Sequence, residues 1–347
     1  MRNDSHGFTI KELFAVMFII MALSFCLLPF GRTGGRPTTR RMACQMHLKQ
    51  LGLAMHIYHD AHGVLPQAVG GTGAGGNENR LNGLVALLPY LEETRLFDQI
   101  MQGEPPGGPA PWDLNYAPWQ AEVQLFRCPA AGDTVVDRDY RWTSYAFCIG
   151  DVASDIHHLP QARGAFAPGL STRFDEIGDG LSQTIFMSEI RPPDGRRTIG
   201  QIAVNLPRNV LDDVGICQQL VDASNRYYRN DVSLHTYGRG YNWADGAAGP
   251  GLVNTILPPN SPSCAVGGIE AVDGIYSAGS HHPGGCQVLL GDASVQMISE
   301  RIDCGDLGAA PLKLDKAAAE VERRASPYGV WGALGTANGN EEIDDDY

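Results

Sequence analysis

His282 and Asp292 stand ten positions apart in SHHPGGCQVLLGDAS, a histidine and a carboxylate of the kinds that move protons or hold metal ions. The run CQVLL between them reads as a strand, and an extended chain advances about 3.3 Å per residue. The pair therefore lies near opposite ends of that strand unless Pro283-Gly284-Gly285 folds the chain back. Asp292, in GDAS between CQVLL and VQMIS, fits a hairpin turn in which Asp accepts from nearby backbone N–H groups, so a structural role is favoured over chemistry. His56 and His59 are i, i+3 beside Asp60 and His62, a spacing that can hold a metal ion. At a helix C-terminus such histidines more simply meet the dipole and the free carbonyls. Asp175 and Asp179 in DEIGDGLSQT offer spaced oxygens for Ca²⁺, without the closing Glu of an EF-hand. Asp179-Gly180 more simply marks a turn. G-x-S-x-G, P-loop and H-E-x-x-H patterns are absent, so no enzyme and no cofactor are expected, with Ca²⁺ the one ion to consider.

The remaining charged group of interest is Glu12, which sits just before the apolar run Leu13–Phe30, 18 residues long. A bilayer-spanning helix needs about 20 apolar residues. With Phe8–Ile10 in front, the segment can span, and no small-x-small cleavage site follows it. A carboxylate near the membrane costs a few kcal/mol unless it lies at the interface or finds a partner.

The stretch Gly7-Phe8-Thr9-Ile10-Lys11-Glu12 resembles the signal of type IV prepilins and pseudopilins. Counting Phe8 as first, Glu12 is fifth and Pro29 twenty-second. The resemblance implies cleavage by prepilin peptidase between Gly7 and Phe8, N-methylation of Phe8, a helix kink at Pro29, and pairing of Glu12 with the N-terminal amine of an adjacent subunit. A free amine is the opposite charge that stabilises a buried carboxylate. Lys11 departs from the usual apolar neighbour of that Glu and offers it a competing partner.

Behind this segment, Arg32, Arg36, Arg40 and Arg41 outnumber the cations before it, which by the positive-inside rule favours a cytoplasmic domain. Long domains translocate largely regardless of charge, and pilin-like families commonly carry Arg there, so export is expected. The net charge of −13 argues against nucleic acid. With 42 Gly, 22 Pro and 19% charged residues the chain reads as loop-rich, β or α+β. Seven of its eight cysteines follow the apolar segment, no C-x-x-C occurs, and exported cysteines usually pair, leaving one over with the connectivity open.

Gly31–Pro37 breaks the helix. A second helix starts near Thr38 or Thr39, carries Cys44, Leu48, Leu51, Met55 and Tyr58 on one face, and ends at Gly63. Pro89 opens a short helix with Leu91, Leu96, Phe97 and Ile100 inward. From Val123 the runs VQLFRC, SYAFCIG, TIFMSEI and TIGQIAVNL read as strands. The fragments LLPYLEETRLFDQI, LFRCP, FDEIGDGLSQTIFMSE, NWADG, LPPNSPSC and SPYGVWGALGT, with the His282–Asp292 pair, resemble a large prepilin-signal family abundant in planctomycetes that ends in an H-x9-D-G signature. Ala293 replaces the terminal Gly, and a turn needing φ > 0 there would be strained.

The expected fold is α+β: a transmembrane, pilin-like N-terminal helix and an antiparallel β-sheet domain with long Gly/Pro-rich insertions. The expected organisation is leader 1–7, assembly helix 8–30, Gly-rich hinge 31–37, periplasmic or extracellular domain 38–340 and acidic tail 341–347. The expected role is a pilin- or pseudopilin-like subunit, single-pass in the inner membrane. It would partner the peptidase and other pilin-like subunits in a surface fibre or a type II secretion pseudopilus. The alternative is a membrane-tethered surface module that binds a glycan or protein and never polymerises, which the glycines at 31, 34 and 35 and Lys11 favour.

Overall fold

The computed structural model describes residues 10–27, 37–132, 140–314, 323–341 and 343, and the chain divides into two units, Met1–Thr38 and Thr39–Tyr347. In the first unit, helix α1 (Ile10–Leu27) follows from an apolar sequence free of Gly and Pro. It leaves Ile10, Leu13, Phe14, Met17 and Phe18 exposed. Among the described residues, no helix is long and apolar enough to cross a membrane. The expected segment 8–30 runs past both ends of α1, into residues outside the described ones.

Helix α2 (Pro37–His62) begins with Pro37 in the first turn, where a missing N–H costs nothing, slightly earlier than the Thr38 or Thr39 start expected. Gly63 (φ +73°) ends it, its N–H donating to the His59 carbonyl. Cys44, Leu48, Leu51 and Met55 are fully buried and Tyr58 is half-buried, one face of the helix. Each such Leu or Met contributes about 1.5–3 kcal/mol on burial.

The remaining elements are short. Strands β1 (Val69–Gly70) and β2 (Leu81–Asn82) pair antiparallel. Helices α3 (Leu84–Leu87) and α4 (Thr94–Met101) follow, then β3 (Tyr145–Cys148), β4 (Ile185–Glu189), β5 (Ile202–Ala203), α5 (Val214–Gln218), α6 (Ala248–Gly251), β6 (Leu252–Val253), β7 (Ser263–Ala265), β8 (Gly274–Ile275), β9 (Gly285–Leu290), β10 (Val295–Ser299) and α7 (Gly329–Gly335). The principal sheet has the order β10-β9-β4-β3-β6. It is antiparallel except at β6, which runs parallel to β3, so the sheet is mixed where antiparallel pairing alone was expected. A smaller sheet, β5-β7-β8, is likewise mixed.

The pleat sorts the strand residues between two layers. Tyr145, Phe147, Met187 and Leu289 join the cluster that contains Cys44, Leu48 and Leu51 of α2. Ala146, Cys148, Val288 and Leu290 join Trp331 and Leu334 of α7 on the other face. The sheet is therefore covered on both sides by helix.

Several expected elements differ. VQLFRC holds a 3-10 turn at Gln124–Phe126, because Pro129 follows and Phe126 is needed in the core. Only Ile202–Ala203 of TIGQIAVNL is strand. The helix expected from Pro89 is split: a 3-10 turn, Leu88–Leu91, stops at Glu92 (φ +64°) before α4 begins at Thr94. Leu96 and Ile100 are buried. Among the described residues the disulfides are Cys44–Cys128 and Cys217–Cys264, and Cys148, Cys286 and Cys304 are free, three unpaired thiols in place of the expected one. Burial pushes the Cys148 thiol up to about 12 and Cys304 likewise to about 12, so both are inert at neutral pH.

Candidate functional site

At one end of the principal sheet, four side chains from distant parts of the chain converge: Cys44, Cys128, Glu189 and His282. One ligand atom from each, two sulfurs, a carboxylate oxygen and an imidazole nitrogen, lies within 4.8 Å of the others. Cys44 comes from the buried face of α2 and Cys128 from the turn before Pro129, where its N–H donates to Ser144 Oγ at 3.0 Å. The two are disulfide-bonded with Cα atoms 5.0 Å apart.

Glu189 is the last residue of β4, opposite Tyr145 of β3, and only 1% exposed. A strand this apolar turns alternate side chains to one face, and the α2-facing side takes Met187 and then Glu189. Glu189 Oε2 accepts from the Gln287 N–H at 2.8 Å. Oε1 lies 3.3 Å from His282 Nε2, within ion-pair range, yet no hydrogen bond is aligned on it. Burial, then the Glu189 charge, raises the Tyr145 hydroxyl well above its ordinary range. Its O–H donates to the Cys44 carbonyl at 3.3 Å.

His282 is set by the turn that precedes β9. Its N–H donates to Ser280 Oγ at 2.9 Å, and that hydroxyl donates to the Gly285 carbonyl at 2.7 Å. Gly284 (φ +87°) and Gly285 (φ +159°) supply the backbone bend. The bend aims Nε2 at the site, 3.5 Å from Cys128 Sγ. Two sulfurs, an imidazole and a carboxylate are the donor classes of closed, four-coordinate zinc sites.

The other candidates lie elsewhere. Asp292 is in the β9–β10 turn, at the far end of β9 from His282, and its Oδ1 accepts from the Ser294 N–H at 2.8 Å. Ala293 takes φ +63°, the left-handed region. His56 Nε2 lies 2.7 Å from the Gly291 carbonyl, whereas His59 stacks on Phe174 with ring centroids 3.9 Å apart and its Nε2 accepts from the Phe174 N–H. Both rings pack against Phe174, and their Nε2 atoms go to different backbone groups, not to one ion. Asp175 pairs with Arg173 at the surface, while Asp179 accepts from Gly339 N–H, Asn340 N–H and Thr336 Oγ1. Asp179 therefore ties down the chain near residue 338, and the Ca²⁺ candidates do not converge. Gly7, Phe8 and Pro29 lie outside the described residues, as does the Glu12 side chain, whose backbone belongs to α1.

Sequence reasoning did not single out Glu189 or join Cys44 to Cys128. The one legible signal was a charged residue closing the apolar strand TIFMSE.

Residues 34–305 match the family described as "Protein of unknown function (DUF1559)". The chain belongs to that family. The match takes in all four residues of the cluster and stops before α7, which nevertheless completes the core. No curated protein and no solved structure matches the chain.

Proposed function

We propose that this family member is an exported, pilin-like surface subunit, tethered by its N-terminal helix and able to pack against further copies of itself. The outward face of α2 carries this reading. Met42, Met46, Leu53 and Ile57 are each at least half exposed. At 3.6 residues per turn they fall within about 60° of one another, on the side opposite Cys44, Leu48, Leu51 and Met55. A surface helix ordinarily has one apolar stripe. A second stripe in water is disfavoured unless another subunit covers it.

Two further observations support the reading. The exposed apolar side chains of α1 call for a membrane or a helical bundle around them. The two disulfides suit an oxidising compartment. In this reading the soluble domain lies outside the inner membrane, and the chain is a structural subunit, not an enzyme. A tethered module that never polymerises is favoured by one feature of the sequence: glycines at 31, 34 and 35 lie between α1 and α2, whereas pilins bundle through one long helix.

The test is Glu12→Gln, with wild type as reference, fractionated into sheared-fibre and membrane pools. The mature N-terminus is read by mass spectrometry. Loss of the fibre pool with N-methyl-Phe8 retained is the expected outcome. A fibre pool equal to wild type overturns the role of Glu12, and no fibre pool in either chain selects the tethered module.

A further inference from the structure

We infer that the Cys44–Cys128–Glu189–His282 cluster is a redox-gated site for one zinc-class divalent ion: a disulfide when oxidised, a closed metal site when reduced. The inference does not depend on whether the chain polymerises.

The geometry is the first support. In a tetrahedral site with Zn–S near 2.3 Å and Zn–N and Zn–O near 2.0–2.2 Å, N···S edges are about 3.5 Å and N···O edges about 3.4 Å. His282 Nε2 stands 3.5 Å from Cys128 Sγ and 3.3 Å from Glu189 Oε1. The S···S edge is too short, held at bonding distance by the disulfide, and the remaining edges lie within 4.8 Å. Reduction frees that edge to open.

The second support is the orphaned oxygen. Glu189 is buried and its Oε2 is occupied by the Gln287 N–H, yet Oε1 has no hydrogen-bond partner and faces the imidazole and the sulfurs. A buried carboxylate oxygen left unsatisfied is costly. A cation at the centre of the cluster would satisfy it. The Gln287 amide and the Ser280 hydroxyl, which hold Glu189 and the His282 backbone, are the kind of outer contacts that orient ligands. The other disulfide has no such company. Cys217 Sγ faces the Pro262 carbonyl, and no metal-binding group forms around it among the described residues.

The exchange balances. Reduction by a dithiol cleaves the S–S bond: two electrons and two protons pass to Cys44 and Cys128, and the dithiol becomes a disulfide. Metal binding then releases those two protons as both thiols become thiolates. In the reverse direction, a disulfide oxidant takes two electrons from the thiolates and two protons from solvent. The Cys44–Cys128 bond re-forms and the ion departs with its charge unchanged.

The test uses the full chain in detergent, freed of metal and reduced under anaerobic conditions, with Co²⁺ as the probe. One Co²⁺ per reduced chain is expected, with thiolate-to-metal charge-transfer and tetrahedral ligand-field bands, and none for the oxidised chain. Zn²⁺ should displace it. In the same wild-type sample Zn²⁺ should slow alkylation of Cys44 and Cys128 at least tenfold while leaving Cys217 and Cys264 unprotected, a readout that needs no variant. Glu189→Gln and His282→Ala, checked for folding by circular dichroism, should each weaken binding at least tenfold. Absence of tetrahedral bands from the reduced wild type, equal protection of all four cysteines, or undiminished binding in both variants would overturn the inference.

Discussion

Gly52 of α2 and Ala293 of the β9–β10 turn meet with no room between them: a Cβ added to Gly52 would lie 3.0 Å from the Ala293 Cβ and 3.2 Å from its Cα. The same atom would lie 2.7 Å from Leu289 Cδ1. One turn further along α2, His56 Nε2 meets the Gly291 carbonyl at 2.7 Å. Helix and hairpin are thus fitted at the tip of the turn, at the end of β9 away from the cysteine cluster.

Gly52→Ala should destabilise the domain. The helix-propensity gain is about 1 kcal/mol, and overpacking typically costs about 1–3 kcal/mol. Leu289 can yield, but the Ala293 backbone cannot easily do so. Ala293→Gly removes both the crowding Cβ and the left-handed strain, about 1–2 kcal/mol for a residue with a Cβ, and should leave the domain at least as stable. Denaturant midpoints of the two single variants and the double variant decide this. If Gly52→Ala costs the same in both backgrounds, the two residues are not coupled as described.

Asp151 and Arg163 form a fully buried ion pair, Nε to Oδ1 at 2.8 Å, and Arg163 Nη2 also donates to the Arg324 carbonyl at 2.6 Å. Arg163→Met strands the carboxylate and should cost about 3–5 kcal/mol. Adding Asp151→Ala should restore part of that loss. A double variant no more stable than Arg163→Met alone would mean the pair is not the source of the cost.

His235 sets an acid limit on stability. Its Nδ1 accepts from the Tyr237 and Gly238 N–H groups at 3.1 and 2.9 Å, which fixes the proton on Nε2, donating to the Ile269 carbonyl at 2.8 Å. A second proton would face two donors. Burial lowers the folded-state value below 6.5, more than the contact with Ile269 raises it. The unfolded chain therefore binds more protons between the folded value and 6.5, and this contribution is full above 6.5 and lost as pH falls through that window. His235→Gln should be less stable than wild type at neutral pH and show a shallower decline on the acid side. Parallel acid limbs in thermal melts would refute this assignment.

Leu53→Asp places a charge on the exposed stripe of α2. In the isolated chain it should shift stability by no more than about 0.5 kcal/mol, since Leu53 lies on the exposed face of the helix. If copies of the chain pack through that stripe, fibre or oligomer yield should fall sharply at unchanged monomer stability. Unchanged yield on size-exclusion and shearing would remove α2 from the interface.

Much of the frame was legible because it rests on local patterns. The 4-3-4 spacing of Cys44, Leu48, Leu51 and Met55 marks the buried face of α2, and GDAS between two apolar runs marks the β9–β10 hairpin around Asp292. The cysteine cluster was not legible. Its members sit at 44, 128, 189 and 282, each separation set by loops with no periodicity. His282 reads as structural because Asp292 fits a hairpin turn and the strand between them keeps the two apart. VQLFRC satisfied a strand's composition, but its backbone pairs with no ladder and Phe126 is turned into the core. Local propensity yields there to tertiary demand.

Trp331 and Leu334 close the second face of the principal sheet, and the Trp331 indole N–H donates to the Leu257 carbonyl at 2.8 Å. Strands β3, β4 and β9 precede them by 40 residues or more. Until residue 334 has been synthesised, Ala146, Val288 and Leu290 have Val253, Ala278 and Ile298 of their own cluster beside them, but that face lacks its largest side chain, Trp331. In a chain made from its N-terminus, the second face of the sheet is thus the last part of the core to close.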